Sequence, residues 1–192
     1  MTHVYHEDGK TLAELLLSLT LTGVVMAATY DLMIIQTRLF SAQDQSVDAE
    51  QTARTAMTMI TRELHMAGYS PVMGVSVTGI TYDPARLRIW ADLNGNGTTA
   101  DVNEDITYAH DAPNRQLIRS SNGSQSVFKN IQTFSVSYLK ADGNGTTVSA
   151  NIRTVLVSIT GRTDRPDPTY TANNGYRTFT LQSRVTPRNL GL

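Results

Sequence analysis

The chain is predicted to be an α+β protein in which one long N-terminal helix packs on an antiparallel β-sheet. Three observations predict this. Residues 15–35 form an apolar run interrupted by one charge, Asp31. Apolar residues then recur at three-and-four spacing up to Ala67, with no proline between residues 36 and 67. Beyond about residue 75 the period becomes two, and the apolar runs are separated by Asp-Pro, Asn-Gly and Asp-Gly pairs. A period near 3.6 marks an amphipathic helix, and a period of two marks strands with one buried face.

The first helix is expected in two parts. Residues 15–35, at about 1.5 Å rise per residue, span roughly 31 Å and match a hydrocarbon core of about 30 Å. Two carboxylates mark this part, Glu14 near its start and Asp31 near its end. In the second part Ala53, Ala56, Met57, Ile60, Leu64 and Ala67 form one face, while Gln51, Arg54, Thr58, Arg62 and His65 occupy the others. Glu50 and Arg54 stand four apart in the favourable order. Gly68 is placed to cap the helix and Pro71 to prevent its continuation. A weaker join is expected near residues 40–47. The change from all-round to one-sided apolarity places the following domain outside a bilayer.

The strands follow in order. Val75, Val77 and Ile80 predict a short strand, and Asp83-Pro84 turns the chain. Leu87 and Ile89 alternate with Arg86 and Arg88. Residues 92–105 read as a loop, and Ile106-Thr107-Tyr108 as the next strand. Pro113-Asn114 leads into Gln116-Leu117-Ile118, and Asn122-Gly123 is a turn. Ile131, Phe134, Val136 and Tyr138 mark another strand, which ends at the turn Asp142-Gly143-Asn144-Gly145. Val155, Val157 and Ile159 alternate with Leu156 and Ser158. Arg165-Pro166-Asp167-Pro168 is loop, and residues 178–185 supply a last strand. Gly-Asn-Gly-Thr-Thr occurs at residues 95–99 and again at 143–147, in different surroundings, so it reads as shared turn chemistry.

Composition bounds the function. A chain of 192 residues fits one domain plus an appendage. Its formal charge of −1 carries no basic stripe of the kind nucleic acid requires. Cysteine is absent, so disulfides, thiolate metal sites and Cys nucleophiles are excluded. The four histidines, His3, His6, His65 and His110, show no zinc spacing. No nucleophile elbow and no glycine-rich loop between a strand and a helix is present. No enzyme is indicated and no cofactor is expected, a bound calcium ion aside. Trp90 reads as core rather than as a sugar platform.

The N-terminal residues carry the most specific signal. Gly9-Lys10-Thr11-Leu12-Ala13-Glu14-Leu15-Leu16 resembles the prepilin signal of type IV pilins and type II secretion pseudopilins. There a polar leader ends in Gly, a peptidase cuts after it, and Phe-Thr-Leu-Ile-Glu-Leu-Leu follows. Lys10 and Ala13 depart from the pattern, and the leader's charges are acidic, Glu7 and Asp8. Their removal with the leader would raise the formal charge from −1 to +1. Cleavage between Gly9 and Lys10 would leave the apolar helix on the product, unlike an ordinary secretory signal. Residues 60–69, Ala91-Asp92-Leu93-Asn94-Gly95-Asn96-Gly97, the strand Glu-Asp-Ile-Thr-Tyr and the closing Arg-Asn-Leu-Gly resemble minor pilins of the PilW type, related to the J-type minor pseudopilin.

The resemblance implies a pilin-like fold in three parts. These are a leader at 1–9, a transmembrane and assembly half-helix at 10–35, and a periplasmic or extracellular domain at 36–192. It implies a single-pass inner-membrane protein that enters a filament, with prepilin peptidase, an assembly platform and other pilins or pseudopilins as partners. It points to a minor pilin of a type IV pilus. A minor pseudopilin of type II secretion shares signal and fold, and an adhesin or enzyme on a pilin-like stalk is the reading from another class. Glu14 is implied to pair with the amino terminus of a neighbouring subunit. It also stands four residues from Lys10, and both pairings are open.

One further motif concerns metal. Asp92-x-Asn94-x-Asn96-Gly97 reproduces the opening of a calcium loop, with oxygens at positions one, three and five and Gly at six. Position twelve is Asn103, and Glu104 arrives one residue late. Asp101 and Asp105 add acidic oxygens. The run reads either as a calcium site using Asp92, Asn94, Asn96 and Glu104 or as a flexible Asn-Gly turn.

Overall fold

The computed structural model describes residues 12–190. Its first element, α1 (Leu12–Met66), is helical throughout, including the expected join at residues 40–47. The chain divides into two compact units between Asp44 and Gln45, and α1 contributes to both. Past Met66 the backbone turns through Gly68, which adopts a left-handed φ of 78° and donates its N–H to Trp90 O at 2.9 Å. This is the expected cap, with a sheet carbonyl as its partner.

The second unit is built on the apolar stripe of α1. Ala49, Ala53, Ala56, Ile60 and Leu64, with Ala67 just beyond, are fully buried. Three of the first four are alanines, and their small side chains leave room for strands to approach the helix axis closely. Two antiparallel sheets share this core, where a single sheet was expected. The first is a meander of β1 (Ile80–Thr81), β2 (Arg86–Trp90), β3 (Asp105–Asp111), β4 (Gln116–Ser121) and β5 (Ser124–Lys129), paired in that order. The second has β6 (Ile131–Leu139), β7 (Thr154–Arg162) and β8 (Thr178–Val185), with β7 central. Leu87, Ile89, Ile106, Tyr108 and Leu117 of the first sheet join Val155, Val157, Ile159 and Val185 of the second in one cluster with the helix.

The two sheets arise at Asn130. This residue alone separates β5 from β6, adopts φ 62°, and lets the chain leave one sheet for the other. Ile131 N–H then bonds to Arg115 O, and Arg162 N–H to Asn130 O. Tyr138 of β6 ties the sheets again by donating its hydroxyl to Arg86 O at 2.9 Å. Burial pushes that phenol up to about 12.

The alternating strands β2, β4, β6, β7 and β8 lie where the period of two places them, and β3 extends its expected segment at both ends. Two segments differ. The run at Val75 and Val77 is not a strand: Gly74 and Gly79, both at positive φ, break the extended run at its two ends, and only Ile80–Thr81 pairs. Conversely, β5 has no apolar alternation and buries only Phe128, because it is an edge strand. Its pairing follows from the two-residue turn Asn122-Gly123, with φ 27° and 84°, the left-handed pair that matches hairpin twist.

Two predictions follow from this packing. A Cβ on Gly79 would lie 2.9 Å from Gly68 N, on a backbone already at φ 76°. Gly79→Ala is therefore expected to lower stability by at least about 1–3 kcal/mol, measured by urea unfolding. In the 163–177 loop, Asp167 accepts from Thr169 Oγ1 at 2.6 Å and from Arg177 Nη2 at 2.8 Å. The Thr169 hydroxyl first, then Arg177, hold its carboxyl at about 2, below an unfolded value of about 3.9. Its contribution is present above the unfolded pKa and is lost as pH falls through about 2. Asp167→Asn should flatten the acid limb of a melting-temperature profile in that window.

Candidate functional site

Three features of the described chain carry chemistry: the apolar part of α1, the 92–104 loop, and a buried ion pair between the helix and the first sheet. Gly9 and Lys10 lie outside the described residues.

From Leu12 to Ile35 every side chain is exposed except Ile34, which is half-buried. The apolar surface covers all sides of the helix, and by length and composition α1 is able to cross a membrane. Its serine and threonine hydroxyls are turned inward on their own helix. Ser18 donates to Leu15 O at 3.0 Å, Thr20 to Leu17 O at 2.8 Å, Thr22 to Ser18 O at 2.7 Å and Thr29 to Val25 O at 2.7 Å. In hydrocarbon every polar group needs a partner within the protein, and these four have one. The acidic side chains of this stretch are Glu14 in the first turn and Asp31 towards its far end. Beyond its own stretch of helix backbone, no described residue lies within 4 Å of a Cβ placed on Gly23.

The 92–104 loop is tightly bonded rather than loose. Asp92 is fully buried. Its Oδ1 accepts from Gly95 N–H at 2.8 Å, and its Oδ2 from Gly97 N–H and Ser70 Oγ, both at 3.0 Å. Glu104 is 1% exposed. Its Oε1 accepts from Leu93 N–H at 2.9 Å and Asn94 N–H at 3.1 Å, while its Oε2 is buried with no hydrogen-bond partner. Asn94 and Asn96 donate their side-chain amides to Asp101 Oδ2 at 2.9 and 2.6 Å. The structure therefore brings Asn94 and Asn96 together on Asp101 and sets Asp92 and Glu104 against the loop backbone. Among the described residues no three His, Cys, Asp or Glu side chains form a metal-holding group. Asp105 is engaged elsewhere, in a bidentate pair with Arg88 at 2.9 and 2.6 Å. Trp90, next to this loop, is half-buried beneath the Arg88 guanidinium, 4.5 Å from the ring centroid.

The buried ion pair was not anticipated from sequence. Glu63 of α1 and Arg119 of β4 are 8% and 6% exposed. Arg119 Nε donates to Glu63 Oε1 at 2.9 Å, and the Tyr108 hydroxyl to Glu63 Oε2 at 2.5 Å. Burial first, and the Glu63 charge second, raise the Tyr108 phenol far above its ordinary range. Arg119 Nη2 also reaches Asn103 Oδ1 at 2.8 Å, so one guanidinium links the helix to the end of the 92–104 loop. Beside it lies a cleft of about 610 Å³, lined by Met59, Met66, Leu93, Ile106 and both members of the pair. A signal was present: Glu63 falls three residues after Ile60 on the apolar stripe, and Arg119 shares the buried phase of Leu117. Charges of opposite sign at the buried phase of two elements identify such a pair.

Removing one partner of this pair strands a buried charge. Glu63→Ala is expected to cost about 3–5 kcal/mol, whereas Glu63→Leu combined with Arg119→Met should cost much less. Comparing the urea midpoints of the two variants tests this.

No family model matches the chain, and no curated protein matches it. Among solved structures the chain is similar to a type IV-like pilin, TTHA1219, from Thermus thermophilus. The identity is 12% and the TM-score 0.47, over 74% of this chain and 98% of that one.

Proposed function

We propose that this chain is a minor pilin of a type IV pilus, of the PilW type, with a structural rather than a catalytic role. The observation that carries the reading is the sequence Gly9-Lys10-Thr11-Leu12-Ala13-Glu14-Leu15-Leu16 leading directly into the exposed apolar part of α1. The protein inserts in the inner membrane by that helix, with the second unit on the periplasmic side. Prepilin peptidase cuts between Gly9 and Lys10. The platform then moves the subunit from lipid into a filament, where neighbouring helices replace lipid around the same side chains.

The physical basis of assembly is substitution of one apolar surrounding by another. Lipid tails are as apolar as leucine, so apolar surface alone gives little drive between helices. A buried carboxylate that finds a cation does, because a paired buried charge is far less costly than an isolated one. Glu14 supplies that carboxylate, and the amino terminus freed by cleavage supplies the cation. Ser18, Thr20, Thr22 and Thr29 satisfy their hydroxyls on their own helix and so do not compete for that cation. The sheets and loops of the second unit select which subunit lies alongside.

Intact mass of the protein extracted from membranes, with and without the cognate peptidase, tests the reading. A peptidase-dependent loss of residues 1–9 is the expected result, and a full-length mass in both samples would overturn it. Glu14→Ala is expected to leave cleavage and membrane insertion intact while removing the protein from sheared filaments.

A further inference from the structure

The helix-facing side of the first sheet changes character towards its β5 edge. Across the strands one row reads Leu87, Tyr108, Arg119, Ser126, and the next Ile89, Ile106, Ser121, Ser124. Apolar and aromatic side chains on β2 and β3 thus give way to polar ones on β4 and β5. The cleft of about 610 Å³ draws its lining from both ends of these rows. Met59 and Met66 of α1, with Leu93 and Ile106, give it apolar walls. Ser124 and Ser126 also line it, and their hydroxyls form no hydrogen bond among the described residues. A concave site of this size, mostly apolar with a few polar groups, has the form of a ligand pocket.

Glu104 lines the same cleft and is 1% exposed. Its Oε1 is occupied by Leu93 N–H and Asn94 N–H. That leaves Oε2, buried and without a hydrogen-bond partner, as the oxygen open to a ligand in the cleft. No Arg, Lys or His forms an ion pair with Glu104 among the described residues, and residues 91–109 contain no basic side chain. Arg119 is committed to Glu63 and Asn103, and Arg62, although it lines the cleft, does not reach Glu104. A buried carboxylate oxygen left unmet is costly, and a cation brought in from outside offsets that cost. One free oxygen gives no bidentate seat to a planar guanidinium. An ammonium is a point charge, and its remaining N–H groups can turn to serine hydroxyls. The methylene stem of a lysine suits walls made of adaptable methionines.

We propose that this cleft receives a lysine side chain of a partner polypeptide, with the ammonium on Glu104 Oε2 and the stem against Met59 and Met66. Charge complementarity selects the cation, and the surface around it selects a polypeptide as its carrier. Met66 and Leu93 line the cleft and are still 39% and 44% exposed. A free amine would leave that apolar surface in water, whereas the residues flanking a partner's lysine would cover it. The proposal does not rest on the filament reading.

Methionine-methyl NMR on the full-length protein in detergent tests it, with Nα-acetyl-lysine methylamide as the probe. The Met59 and Met66 methyls should shift saturably, with a Kd on the order of 1 mM for a ligand of this size. Met73, which is 99% exposed and outside the cleft, should not shift. The norleucine analogue, which has the same stem without the ammonium, should bind at least about tenfold more weakly. Glu104→Gln keeps an oxygen for Leu93 and Asn94 N–H and removes the charge, so it should weaken the lysine probe to the level of the norleucine analogue. If that variant does not fold, the comparison of the two probes on the wild type decides the matter. Equal binding of both probes, or no saturable shift at Met59 and Met66, would overturn the proposal. So would binding of n-butylammonium with the capped lysine excluded, since the cleft would then serve a free amine.

Discussion

The second unit depends on one face of one helix. Ala49, Ala53, Ala56, Ile60, Leu64 and Ala67 give up all contact with water, and both sheets are organised around that stripe. Small residues at the near end and larger ones towards the sheet connection set how closely strands approach. A single helix thereby nucleates a core that neither sheet could enclose alone, since each presents only one apolar face. Burial supplies the drive without direction, and direction comes from the polar groups set into the same surface.

Glu63 is the main such group. Its carboxylate receives Arg119 from β4 and the Tyr108 hydroxyl from β3, and only one rotation of α1 over the first sheet satisfies both. A hydrophobic contact tolerates sliding, whereas a bidentate buried contact does not, because displacement strands a charge. On the other side, Thr61 and Ser183 of β8 are within hydrogen-bond reach at 3.4 Å. The guanidinium of Arg119 then extends the constraint to Asn103. The path from helix to loop is therefore continuous.

The two units solve opposite solvent problems. In the first, apolar side chains cover every side of the helix from Leu12 to Ile35, Glu14 and Asp31 aside, and the Ser and Thr hydroxyls bond back to its own carbonyls, which fits that stretch to an apolar surrounding. In the second, loops carry the polar surface and make their own hydrogen bonds. Asp83 and Asp142 cap turns, Asp167 gathers the 163–177 loop, and Asp92 gathers the 92–97 turn. Without disulfides these carboxylate-centred turns do the work of local cross-links.

Much of this was legible in the residue order. Helix period, chain punctuation at Gly68 and Pro71, and strand alternation at Leu87, Val155 and Thr178 are local properties, written in spacing that short-range sterics and burial enforce. The N-terminal motif is likewise a matter of adjacent residues. What tertiary structure alone decided depends on partners far apart in sequence. The split into two sheets turns on a single left-handed Asn130. Strand β5 is held by a neighbour rather than by its own composition. The pairing of Glu63 with Arg119 joins residues 56 apart. The oxygen pattern at Asp92 was visible as a motif. That Glu104, one place late for a calcium loop, would lie buried against that loop with an oxygen unpartnered followed only from the fold, because burial is set by what packs on a residue and not by its neighbours in the chain.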